Sequence, residues 1–159
     1  MPLPLFTSLL LAQGFTNGLR TLTPVAVLCW GARFGWYSFA HTPFVFLAHP
    51  VSLAVFSILA IGELIGDKLP KTPSRVSLFP LIGRAVFGAG TGGALAAVAG
   101  ASLPLGIVVG LVGAMVGAYS GFLLRRAITT PRGSLPDMPV ALVEDAIAIG
   151  GALFVASRF

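Results

Sequence analysis

Six ionisable side chains lie within or at the ends of otherwise apolar runs: Arg20, Glu63, Asp67, Arg84, Glu144 and Asp145. A charge near the centre of a bilayer costs at least about 2.5 kcal/mol on insertion scales, so it is retained where it faces protein or water and has a partner. Glu63 and Asp67 are four residues apart and share one helical face, flanked by Gly62 and Gly66. Asp145 falls on a small-residue face with Ala141, Ala148, Ala152 and Ala156, where Arg84 of a neighbouring helix is its natural partner. Arg20 lies in Gly14–Pro24, a stretch with two glycines, a polar cluster and a proline, which predicts a break in its helix. Such a break would bring Arg20, Thr21 and Thr23 together with freed backbone groups, as discontinuous helices do in transporters. The candidate ion- or solute-binding set is therefore Arg20, Thr21, Thr23, Glu63, Asp67, Arg84, Glu144 and Asp145. Its structural alternative is a set of buried ion pairs that staple helices together.

The elements that must position these residues are membrane helices. Of the 159 residues, 56% are apolar and 9% charged, against about 25% charged in an ordinary soluble domain. That balance excludes a soluble globular protein, and disorder needs the opposite combination of low hydrophobicity and high charge. The formal charge of +5 comes from ten Lys and Arg that punctuate apolar runs, so it reads as a topology signal rather than a nucleic-acid patch. The single Cys29 can form no intrachain disulfide and reads as a small apolar residue.

A membrane-crossing helix needs about 20 mostly apolar residues. Five segments qualify: about Leu3 to Trp30, Pro50 to Gly66, Leu81 to Ala101, Leu105 to Leu124 and Val140 to Ser157. No Lys or Arg precedes Arg20, so the N-terminal segment lacks the basic start of a secretory signal and counts as the first membrane element. The whole chain reads as one all-α polytopic domain. Lys68, Lys71 and Arg75 in one connection, and Arg125, Arg126 and Arg132 in another, share a side that the positive-inside rule makes cytoplasmic. Five crossings then put the N-terminus in the cytoplasm and the C-terminus outside. If the first segment instead folds back as a re-entrant hairpin, four crossings remain and the N-terminus changes side.

Ser102-Leu103-Pro104 allows only a tight turn, making the third and fourth segments an antiparallel hairpin. In the fourth, Gly106, Gly110, Gly113, Gly117 and Gly121 fall on one narrow face. The third presents Ala85, Gly88, Gly92, Ala96 and Ala99, so the two stripes are expected to pack backbone against backbone. Gly14-x-x-x-Gly18 with Arg20 and Thr23-Pro24 recurs loosely as Gly117-x-x-x-Gly121 with Arg125 and Thr130-Pro131, a weak internal similarity.

Other motifs carry less. The glycine run Gly88–Gly93 follows no strand, so it is not a phosphate loop. His41 and His49 lack the carboxylate or cysteine neighbours of a metal site, and neither a metal nor a cofactor is expected. Trp30, Phe34, Trp36, Tyr37, Phe39, Phe44 and Phe46 suit an interfacial element at headgroup level, with a lid or a grip on a flat apolar ligand as the functional alternative.

Three stretches, Gly18–Pro24, Gly62–Arg75 and Val143–Gly150, resemble a family of small bacterial membrane proteins catalogued as a domain of unknown function. The resemblance spans nearly the whole chain and implies a single compact domain in the bacterial cytoplasmic membrane. It implies no activity, but its motifs contain Arg20, Glu63, Asp67, Glu144 and Asp145. The functional expectation is a small transporter or channel for an ion or solute, in the bilayer and open to homo-oligomers or a larger complex. A non-catalytic accessory subunit is the alternative. An intramembrane enzyme is disfavoured, because no nucleophile and base stand at helical spacing.

Overall fold

In lipid, backbone polar groups must be satisfied within the segment, and long apolar runs meet that demand as helices. The computed structural model describes residues 1–67, 77–129 and 137–159, and all regular structure among them is helical. In chain order the elements are α1 (Leu3–Leu19), α2 (Thr23–Arg33), a short 3-10 helix (Val45–Ala48), α3 (Pro50–Gly66), α4 (Leu78–Val98), α5 (Leu103–Thr129) and α6 (Asp137–Ala156). Three helices are long and apolar enough to cross a membrane: Leu78–Val98, Leu103–Thr129 and Met138–Ala156. The apolar α3 is shorter, at 17 residues. Large apolar side chains such as Phe79, Val108, Leu123 and Phe154 face outward, as in a protein whose solvent is lipid. Lys68, Lys71, Arg75, Thr130, Pro131 and Arg132 lie outside the described residues.

The turn after α4 is made by Gly100 at φ +61°. There the Ala101 N–H returns to Ala96 O at 2.8 Å, a left-handed cap that only glycine adopts without penalty. α4 and α5 then run antiparallel, with Gly88 and Gly92 against Gly106, Gly110 and Ala114; an added Cβ at any of the four glycines would overlap its partner. The other glycines of α5 meet a different helix. A Cβ at Gly113 would overlap Leu11 and Phe15, and one at Gly117 would overlap Phe15 and Gly18, so these residues pack on α1 rather than on α4. Since Gly14 meets Gly110 and Gly18 meets Ala114 and Gly117, residue numbers rise together and α1 is parallel to α5. α5 is thus wedged between two helices, each brought to backbone contact by absent side chains. Gly121 is buried further along it, and α5 continues unbroken through Arg125, so the loose copy of the α1 motif makes no break there.

The first apolar segment is not one helix. α1 ends at Leu19 and α2 begins at Thr23. α2 runs antiparallel to α3: its first amides meet Glu63 near the end of α3, and Trp30 donates to Ser57 near its middle, at 3.1 Å. α2 therefore returns alongside α1, and Val25, Leu28 and Cys29 share one apolar core with Phe6, Leu9, Leu10 and Val155. α6 is antiparallel to α1, with Asp145 at Arg20, Gly151 at Thr16 and the Phe159 ring 6.1 Å from that of Phe6. The two chain ends thus lie at the same end of the bundle. Within the bundle α1 and α2 form a hairpin, the shape of the alternative reading of the first segment. The physical reason is the glycine register, which makes α1 follow α5 and leaves α2 only the return path.

The aromatic connection divides between surface and core. Trp30, Phe34 and Trp36 are exposed and follow one another with ring centroids 5.4 and 5.9 Å apart. Tyr37 and Phe39 are buried, and the Tyr37 hydroxyl donates to Leu28 O at 3.0 Å. His49 caps α3, its Nδ1 accepting from the Val51 N–H at 3.2 Å.

Candidate functional site at a broken helix

The break is written locally by Arg20 and Pro24. Pro24 has no N–H to give to residue 20, and its ring would clash with that carbonyl, so a helix cannot pass through but can begin there. Arg20 is extended, at φ −137° and ψ 123°, and Pro24 falls in the first turn of α2. Two helix ends consequently face one another inside the bundle, one with orphan carbonyls and the other with orphan amides.

Each end is met by charge of the complementary sign from another helix. The buried Arg84 of α4 donates through Nη1 to the carbonyls of Gly18 and, at 3.0 Å, Leu19, where the α1 dipole is negative. Glu63 of α3 accepts from the Thr21 N–H at 2.5 Å, the Leu22 N–H at 2.9 Å and the Thr23 N–H at 3.3 Å, where the α2 dipole is positive. The Thr23 hydroxyl lies 3.5 Å from the same carboxylate.

Arg20 fills the gap between these ends with a side chain that is 0% exposed. Its Nε donates to Asp145 Oδ1 of α6 at 2.5 Å, and its Nη1 pairs with Asp67 just beyond α3. The first segment is therefore tied to α3 and α6 through one guanidinium. Removing one partner of a buried pair is costly because the other charge is left uncompensated. The centre holds two guanidiniums, Arg20 and Arg84, against three carboxylates, Glu63, Asp67 and Asp145.

Of the residues singled out by sequence, Arg20, Thr21, Thr23, Glu63, Asp67, Arg84 and Asp145 are gathered at this one end of the bundle. Glu144 turns elsewhere: its carboxylate is buried and 3.7 Å from Arg125 of α5. Asp145 is paired with Arg20. Consecutive acids on a helix diverge by about 100°, which is why Glu144 and Asp145 serve different neighbours.

Two polar residues stand outside the candidate set drawn from sequence. Asn17, 0% exposed, spans the break, donating through Nδ2 to Thr21 O at 2.9 Å and accepting at Oδ1 from the Thr91 hydroxyl at 2.7 Å. Thr91 is the only hydroxyl residue within α4. Asn17 stands three residues before Arg20, and that shared helical face was the available signal.

Comparison with known proteins bears on family rather than chemistry. The family model described as Domain of unknown function (DUF4126) matches residues 8–157, confirming the resemblance carried by the three stretches. No curated protein and no solved structure gives a significant match.

Proposed function

We propose that this chain, which belongs to the family Domain of unknown function (DUF4126), is a small membrane transporter or channel whose site is the Arg20 centre. The observation that carries this reading is a wholly buried arginine at a helix break, in contact with carboxylates from two other parts of the fold. Broken helices place dipole ends and free backbone groups inside a membrane protein, and ionisable residues at such depth mark paths for ions and solutes. The bilayer is that of the bacterial cytoplasmic membrane. The basic connections after α3 and α5 face the cytoplasm, and both termini face outward.

One observation favours a second reading, an accessory subunit in which the charges only staple helices: Arg84 and Glu63 meet the two broken ends, and Arg20 meets Asp67 and Asp145.

Flux measurements separate the two. The purified full chain is reconstituted in liposomes, and proton and alkali-cation flux are followed with pH- and potential-sensitive dyes. Asp145→Asn and Glu63→Gln are compared after each is shown to be folded. Flux above that of empty liposomes, lost in the folded variants, supports the transport reading. Wild-type vesicles as tight as empty ones to protons, alkali cations and small neutral solutes alike, with variants that only lose stability, would favour the accessory subunit.

A further inference from the structure

Gln13 is 0% exposed, and neither its Oε1 nor its Nε2 has a hydrogen-bond partner among the described residues. A buried amide without partners is expensive, and an apolar side chain of similar volume would avoid the cost. A native fold that keeps such a group is expected to gain something from it, because local rules are broken at functional sites.

Its place in the fold says what that is. At about 100° per residue, Gln13 and Asn17 lie roughly 40° apart on one α1 face, and Arg20 follows just beyond the end of that helix. The face is polar throughout: Arg20 meets Asp145, Asn17 meets Thr91, and the neighbouring Thr16 hydroxyl bonds the Gln13 carbonyl at 2.7 Å. Seven residues at 1.5 Å carry it about 10 Å from the Arg20 centre towards the end where the chain termini meet. Beyond Gln13 the same face continues as Leu10, Leu9 and Phe6, all buried, which close it with apolar side chains. The Gln13 amide is thus the inner end of a polar track that begins at the charged centre.

We infer that Gln13 is a ligand-binding residue, holding a small uncharged solute that carries both a hydrogen-bond donor and an acceptor: water, or a molecule of the amide type. A carboxamide offers a donor and an acceptor side by side, and such a solute satisfies both. An ion would not suit the position, because α1 carries no charged residue, Arg20 lies just past its end about two turns away, and a neutral amide supplies no counter-charge. The inference rests on the transport reading and names the class of solute that passes beyond the charged centre.

The test uses the full chain in liposomes, with stopped-flow light scattering under a sucrose gradient for water and a urea gradient for the amide class. Wild-type vesicles should exceed empty ones several-fold for at least one probe, and which probe moves identifies the solute. Gln13→Met, close in volume and without the amide, should return the rate to that of empty vesicles while melting at or above the wild-type temperature. Gln13→Asn, which keeps the amide, should retain part of the flux. Three results would overturn the inference: wild-type rates in Gln13→Met, a lowered melting temperature for that variant, or wild-type vesicles that pass neither probe. A pH-dye arm on the same vesicles keeps the two readings apart. Proton flux that needs Asp145, without water or urea flux, retains the Arg20 centre and removes Gln13. Urea or water flux that needs Gln13 but survives Asp145→Asn does the reverse.

Discussion

Arg20 and Asp145, 125 residues apart in sequence, meet at 2.5 Å through Nε and Oδ1 inside the bundle. That pair ties the turn of the α1–α2 hairpin to the last helix. Arg20→Ala should destabilise the protein by about 3–5 kcal/mol, because Asp145 and Asp67 would be left without their counter-ion. Combining Arg20→Met with Asp67→Asn and Asp145→Asn should recover much of the loss, since removing all the charges leaves none unpaired. Thermal or denaturant unfolding in detergent reads both. A stable Arg20→Ala protein would show that the pair does not hold the hairpin.

Glu63 holds the first turn of α2 through three amides. Hydrogen bonds to a charged group contribute about 1.5–3 kcal/mol. Glu63→Ala should therefore loosen α2 locally and speed hydrogen exchange at Thr21, Leu22 and Thr23, with Glu63→Gln intermediate. Unchanged exchange at these three amides would mean that the carboxylate is not their cap in solution.

The glycines of α5 divide by partner. Gly113→Leu and Gly117→Leu should disrupt α1 against α5, and Gly92→Leu and Gly106→Leu should disrupt α4 against α5, because each added side chain runs into backbone. Overpacking costs typically about 1–3 kcal/mol and more where backbone is struck. Gly62→Leu and Gly150→Leu, where an added Cβ meets nothing within 4 Å, should be tolerated. Size-exclusion profiles and melting temperatures of the two groups should separate cleanly.

The chain termini should report from one side of the membrane and the connections after α3 and α5 from the other. Phe6 and Phe159 lie together, whereas Arg20, just past the other end of α1, meets Asp67 and Asp145. Reporter tags at both ends of the chain and within 68–76 would test this. Termini on opposite sides would restore a single crossing for the first segment and contradict the α1–α2 hairpin.

Much was legible in the residues before any contact was known. Apolar run length gave a helical membrane domain, and the segment Pro50 to Gly66 has the bounds of α3. The break around Arg20 was legible because proline and glycine act within a few residues of themselves. That Arg20, Glu63, Asp67, Arg84 and Asp145 would need partners was legible because charges in apolar runs must be compensated.

The pairing was not legible. A helical face says in which direction Asp145 points, but which helix meets it depends on how all the others pack. The sequence by itself determined the helices, the break and the charges that must be compensated, since these follow from local sterics and from the cost of burying polar groups. Only the tertiary structure decided that α2 turns back beside α1, that α1 rather than α4 takes Gly113 and Gly117, that Arg20 pairs with Asp145, and that Gln13 has no side-chain partner among the described residues. Those outcomes rest on long-range glycine register and helix direction, which no local pattern specifies.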